Sequence, residues 1–112
     1  MHDAEGRIRL PGFYDGVPEP PAEQRAAWQA LAFSEHDFLG HIGLAVPVGE
    51  KGRGGLERLW ARPTADINGI WGGYQGEGAK TILPGKAGAK FSFRLVPHQD
   101  PDKITAALRQ LL

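Results

Sequence analysis

The segment Gly73-Tyr74-Gln75-Gly76-Glu77-Gly78-Ala79-Lys80-Thr81 sets glycines ahead of a lysine and a threonine, the residue types that cradle a phosphate. A phosphate loop needs its lysine directly after the second glycine and must open a helix. Here Ala79 intervenes and Ile82-Leu83-Pro84 continues as extended chain, so the register argues against nucleotide binding. Lys80 and Thr81 could still meet an anionic or carbonyl group, although turn chemistry explains them about as well. Arg94 is more suggestive: mid-strand on a polar face, its guanidinium can offer two parallel donors to a carboxylate. On composition alone, a surface arginine paired with a neighbour is the stronger reading. His98-Gln99-Asp100 has the spacing of a His-x-Asp metal pair, but Asp100 is the natural N-cap of a following helix and no further ligands lie near. His2, His36 and His41 are scattered, the last two at positions that suit exposed helix histidines. There is no Gly-x-Ser-x-Gly elbow, no cysteine, and no histidine close in sequence to the serine and threonines of the sheet region, so a self-contained hydrolase is not expected.

These residues need elements to position them. Residues 1–20 read as a turn-rich connection with a short apolar alternation at Ile8 and Leu10 that could pair as a strand. Ala22 to Ala32 reads as a helix with Ala27, Trp28 and Leu31 on one face. Ser34-Glu35-His36-Asp37 resembles a capping box opening a second helix, striped by Phe38, Leu39 and Ile42 and stopped at Gly43; the two helices are expected side by side. Leu56 to Ala61 fits a single helical turn before Pro63. From there the period changes to that of a strand. Ala65, Ile67, Gly69 and Trp71 alternate with Asp66, Asn68 and Ile70; Thr81-Ile82-Leu83 is a short strand; Ala87 to Val96 places Ala89, Phe91, Phe93 and Leu95 against Lys90, Ser92 and Arg94. Asp100-Pro101-Asp102 caps and opens the last helix, with Ile104, Ala107, Leu108 and Leu111 as its apolar stripe. The stop at Leu111-Leu112 lacks a C-cap and predicts a fragment of a longer domain.

The 112 residues suffice for one modest core. Thirteen cationic and thirteen anionic side chains cancel, which argues against nucleic-acid or lipid partners held by a net field. No apolar run approaches a membrane span and residues 1–5 are no signal peptide. The absence of cysteine leans mildly to the cytoplasm.

Taken together, Arg62-Pro63-Thr64-Ala65-Asp66-Ile67-Asn68-Gly69-Ile70, the loop from Gly72 to Pro84, and Phe91-Ser92-Phe93-Arg94-Leu95-Val96-Pro97 resemble, in order and spacing, the lid domain of the dinuclear zinc peptidases that include carnosinases and aminoacylases. Pro11-Gly12-Phe13-Tyr14 and the paired helices resemble the same family's lead into its sheet. The resemblance implies an α+β fold, an antiparallel sheet with helices packed on one face, as an incomplete ferredoxin-like lid short of its first and last strands. Residues 1–61 would be its helical connection and 62–112 its sheet and final helix. It further implies Arg94 as the grip on the substrate's carboxylate, Thr81 as a hydrogen-bonding neighbour, and Gly76 and Gly78 as points of close backbone approach. Two zinc ions would sit in a separate catalytic domain, and this chain, with neither zinc ligands nor catalytic residues, would be inactive alone. The implied partners are a second lid in a homodimer, the catalytic domain, and a dipeptide or N-acyl amino acid. The alternative is a free-standing, non-catalytic binding or assembly module with the same fold.

Overall fold

A computed structural model describes residues 1–112. The chain is α+β, with four helices and one antiparallel two-stranded sheet: α1 (Ala22–Gln29), α2 (Glu35–His41), α3 (Gly55–Trp60), β1 (Thr64–Gly72), β2 (Ala87–Arg94) and α4 (Pro101–Leu111). No helix is long and apolar enough to cross a membrane. The chain divides into two compact units, one of Met1–Pro63 with Leu95–Leu112 and one of Thr64–Arg94.

In the helical unit, Ile8, Leu10, Phe13, Leu39, Leu56 and Ile104 are buried, and Phe13 is almost fully so. Ile8 and Leu10 enter this core without forming a strand; only an isolated bridge joins His2 to Ile8. Tyr14 packs edge-on against Phe13, accepts the Ile8 amide at 3.0 Å and lies beneath the Arg7 guanidinium. Burial pushes its phenol above the usual tyrosine range.

The helix ends follow their capping chemistry. Ser34 accepts the Asp37 amide, and Asp100 accepts the amides of Asp102 and Lys103 with Pro101 inside the first turn of α4. Gly43 takes a left-handed conformation just past α2, the expected stop. The apolar stripes are thinner than their periodicity predicts. α1 ends at Gln29, leaving Leu31 exposed, and of the α2 stripe only Leu39 is buried. The neighbour of α1 is also not as expected: Trp28 meets Trp60 of α3 edge-on. The Gln99 side chain accepts the Val96 amide and donates to the Phe13 carbonyl, joining the lead into α4 to the first turns. Gly16 comes so close there that a Cβ would stand 2.4 Å from the His98 carbonyl oxygen, and its φ is +79°.

A charged cluster lies within the same unit. Arg62 and Glu50 are both buried, with Arg62 Nε 3.1 Å from each Glu50 carboxylate oxygen and Nη2 at 3.0 Å. Arg53 bridges Glu19 and Glu57, and Arg25 adds a second contact to Glu19. Donation from Arg53 holds the Glu19 carboxyl down to about 2, and the same bond raises the Arg53 pKa.

In the other unit, β1 and β2 form an antiparallel ribbon from Thr64↔Arg94 at one end to Gly72↔Ala87 at the other. The register slips between Ile67 and Gly69, so Asn68 is the extra residue of a β-bulge. Up to Ile67 the expected alternation holds, with Ala65 opposite Phe93 and Ile67 opposite Phe91. Beyond the bulge it inverts. Ile70, opposite Ala89, joins the phenylalanine face, and Trp71, opposite Gly88, joins Lys90, Ser92 and Arg94. The expected strand at Thr81-Ile82-Leu83 is irregular chain instead, because the sheet has two strands and no third ladder is there to satisfy it. β2 stops at Arg94, where its partner begins, rather than running to Val96.

Candidate functional site

Four residues carry the expected site, and all lie in the ribbon unit. Arg94 closes β2, exposed, on the face with Thr64, Asp66, Trp71 and Lys90. It makes no ion pair, although Arg7, Arg25, Arg53, Arg58 and Arg62 of the helical unit all do. The nearest acidic position by register, Asp66, instead accepts a long hydrogen bond from the Thr64 hydroxyl at 3.4 Å. Four cations of this unit (Lys80, Lys86, Lys90 and Arg94) against two carboxylates (Asp66 and Glu77) leave a net charge of 4 − 2 = +2, within a chain that is neutral overall. Such a surface favours an anion.

Gly76, Gly78 and Thr81 lie in the loop that joins Gly72 to Ala87. The loop therefore departs from the end of the ribbon opposite Arg94, at a separation of about 24 Å along β2 by strand rise. From Gly73 to Thr81 the chain is long enough, at about 27 Å when extended, to return along the ribbon. Thr81 is exposed and outside regular structure, and no hydrogen bond joins it to Arg94. Gly78 has φ +79° with open space where a Cβ would be. Gly76 is crowded from within the loop: a Cβ would stand 2.4 Å from the Tyr74 hydroxyl oxygen.

His98 and Asp100 line a cleft of the helical unit with Asp15 and Lys103. Asp100 is engaged in capping α4, as its position predicts. No three histidine, aspartate or glutamate side chains converge so as to hold an ion. The residues of this chain thus do not fit a dinuclear metal site.

Two features of the structure are not legible in the sequence. Tyr74 is the hub of the glycine-rich loop, and the signal was an aromatic side chain two residues from a glycine. The Arg62–Glu50 pair was hidden because twelve residues separate its members and each stands in a segment that reads as polar surface.

The family model described as a peptidase dimerisation domain matches residues 9–112. The Cys-Gly metallodipeptidase of Saccharomyces cerevisiae is 29% identical over 108 residues, which cover 96% of this chain and 22% of that protein. Among solved structures, a metallo-carboxypeptidase from Sulfolobus solfataricus superposes with a TM-score of 0.78 at 35% identity, covering 97% of this chain and 28% of that one. Human carnosine dipeptidase 1 superposes with a TM-score of 0.83 at 29% identity, covering 99% and 24%. The chain spans about a fifth of the length of the curated relatives it matches.

Proposed function

We propose, for a chain that belongs to the peptidase dimerisation domain family, that it is the lid and dimerisation domain of a zinc-dependent dipeptidase or carboxypeptidase and that Arg94 grips the substrate's free carboxylate. The observation that carries this reading is the exposed, unpaired guanidinium of Arg94 in a ribbon unit of net positive charge. An arginine fork matches a carboxylate with two parallel bonds, and a group not already committed to an ion pair has none to break before it makes them.

In this reading Thr81 donates a further hydrogen bond to the substrate, and the open space at Gly78 lets the backbone approach it. Residues 1–61 serve as the helical connection of the lid and 62–112 as its sheet and final helix. A second copy pairs with it to make a homodimer, and a catalytic domain elsewhere in the cytoplasmic parent holds two zinc ions and the reacting bond. Exposed apolar side chains support the association: Ile70 is 77% and Leu83 96% accessible in the ribbon unit, as suits surfaces that acquire partners. The test is Arg94→Ala in the full-length peptidase, assayed on a dipeptide and on the same dipeptide as its C-terminal amide. A loss confined to the free acid supports the carboxylate grip; equal losses sink it. Sedimentation of the 112-residue chain checks self-association, and a monomer across a wide concentration range would count against the dimer.

A further inference from the structure

The loop between β1 and β2 is organised by one side chain. The Tyr74 hydroxyl donates to the Glu77 carbonyl at 3.1 Å. Its ring lies directly on Gly76, where a Cβ would stand 2.6 Å from Cζ as well as 2.4 Å from the hydroxyl oxygen. Lys80 Nζ stands 5.4 Å from the ring centroid, within the range of a cation–π contact. A single ring therefore touches the chain two, three and six residues further on. Gly73 and Gly78, both at positive φ, supply the bends that curl the loop around it. Long loops without regular structure are uncommon in compact domains, and those packed on their own side chains usually serve a function.

We propose that Tyr74 is a positioning residue: its ring clamps the glycine-rich loop and so fixes where Lys80 and Thr81 stand. The inference rests on the reading of Thr81 as a substrate contact. It also gives Gly76 a task distinct from substrate approach, since the space beside its Cα is filled by Tyr74. Lys80 acts in the same clamp, its ammonium held against the ring face immediately before Thr81. The strands need none of these contacts, because their ladder runs from Thr64↔Arg94 to Gly72↔Ala87 without the loop.

The clamp is tested by backbone amide order parameters from NMR relaxation on the 112-residue chain, following residues 74–81 and the two strands separately. Four variants are compared: Tyr74→Phe, Tyr74→Ala, Gly76→Ala and the double variant Tyr74→Ala/Gly76→Ala. Tyr74→Ala is expected to lower the order parameters across the loop by about 0.2, towards the flexible range, while the strand amides keep theirs. Tyr74→Phe keeps the ring on Gly76 and Lys80 but loses the Glu77 bond, so a fall about half as large is expected. Gly76→Ala must push the ring away and should match Tyr74→Ala, with the double variant no worse than either single one. In the full-length peptidase, with β-alanyl-histidine as probe, Tyr74→Ala should raise KM by about tenfold with a smaller change in kcat, and Tyr74→Phe should recover most of the loss. Unchanged loop order parameters in Tyr74→Ala, or additive effects in the double variant, would overturn the clamp whatever Thr81 does. A loosened loop with unaltered KM would overturn the substrate role of the loop, and with it the reading of Thr81.

Discussion

Trp71 and Gly88 stand opposite one another across the ribbon, so close that a Cβ on Gly88 would come within 2.1 Å of the indole. The bulge at Asn68 creates this pair by turning Trp71 onto the Arg94 face. Gly88→Ala should therefore expel the ring. The indole is already 44% exposed and has room to swing outward, so the stability loss should be modest, about 1 kcal/mol. Tryptophan emission should shift to the red, and unshifted emission would show that the ring does not rest on Gly88.

Arg94→Ala leaves no core cavity, because Arg94 is exposed and lies on the face away from Phe91 and Phe93. The melting temperature should barely move, since exposed substitutions usually change stability by about 0.5 kcal/mol or less. Hydrolysis of a substrate with a free carboxylate should fall by roughly 30- to 1000-fold, the equivalent of about 2–4 kcal/mol for losing a desolvated charge-assisted bond. Arg94→Lys should recover only part, because an ammonium cannot form the fork. A variant that simply melts early would mark Arg94 as structural.

Glu50→Ala strips Arg62 of its buried carboxylate partner while Arg62 Nη1 already lacks a hydrogen bond. Arg62 would keep only the exposed Glu19 carboxylate, 3.5 Å from Nη1, so the loss should be at most about 3 kcal/mol, read as a fall in the urea midpoint. Replacing both members with apolar side chains of similar volume should restore much of it. If the double variant is as unstable as the single one, desolvation of Arg62 is not the cause.

Glu19 makes stability depend on acid. Its carboxyl lies at about 2 in the folded chain against 4.5 for a free one, held down chiefly by the bond from Arg53. The unfolded chain therefore binds the proton more readily, and the contribution of Glu19 is present above about pH 4.5 and lost as the pH falls towards 2. With Glu19 58% exposed, solvent screening limits that contribution to at most about 1 kcal/mol. Glu19→Gln should flatten the stability profile between those two values and leave it unchanged in shape at neutral pH. An unaltered acid limb in the variant would place the titration elsewhere.

Signals that act over a few residues were legible in the chain itself. The Asp100 cap with Pro101 behind it, the Ser34 cap and the stop at Gly43 depend only on backbone groups within a turn, and each formed where its residue types required. The motifs that carry the family resemblance are likewise local runs, and that resemblance implied the α+β class, in agreement with the change of period after Pro63. Tertiary structure alone decided what depends on partners distant in sequence. Alternation cannot announce a bulge, because whether Asn68 is paired or skipped depends on the strand that meets it, and that one residue moved Trp71 to the other face. Thr81-Ile82-Leu83 has strand composition but no ladder to join. Arg62 and Glu50 each read as surface, and became a buried pair only when the fold brought opposite charges together, since neither could leave water alone.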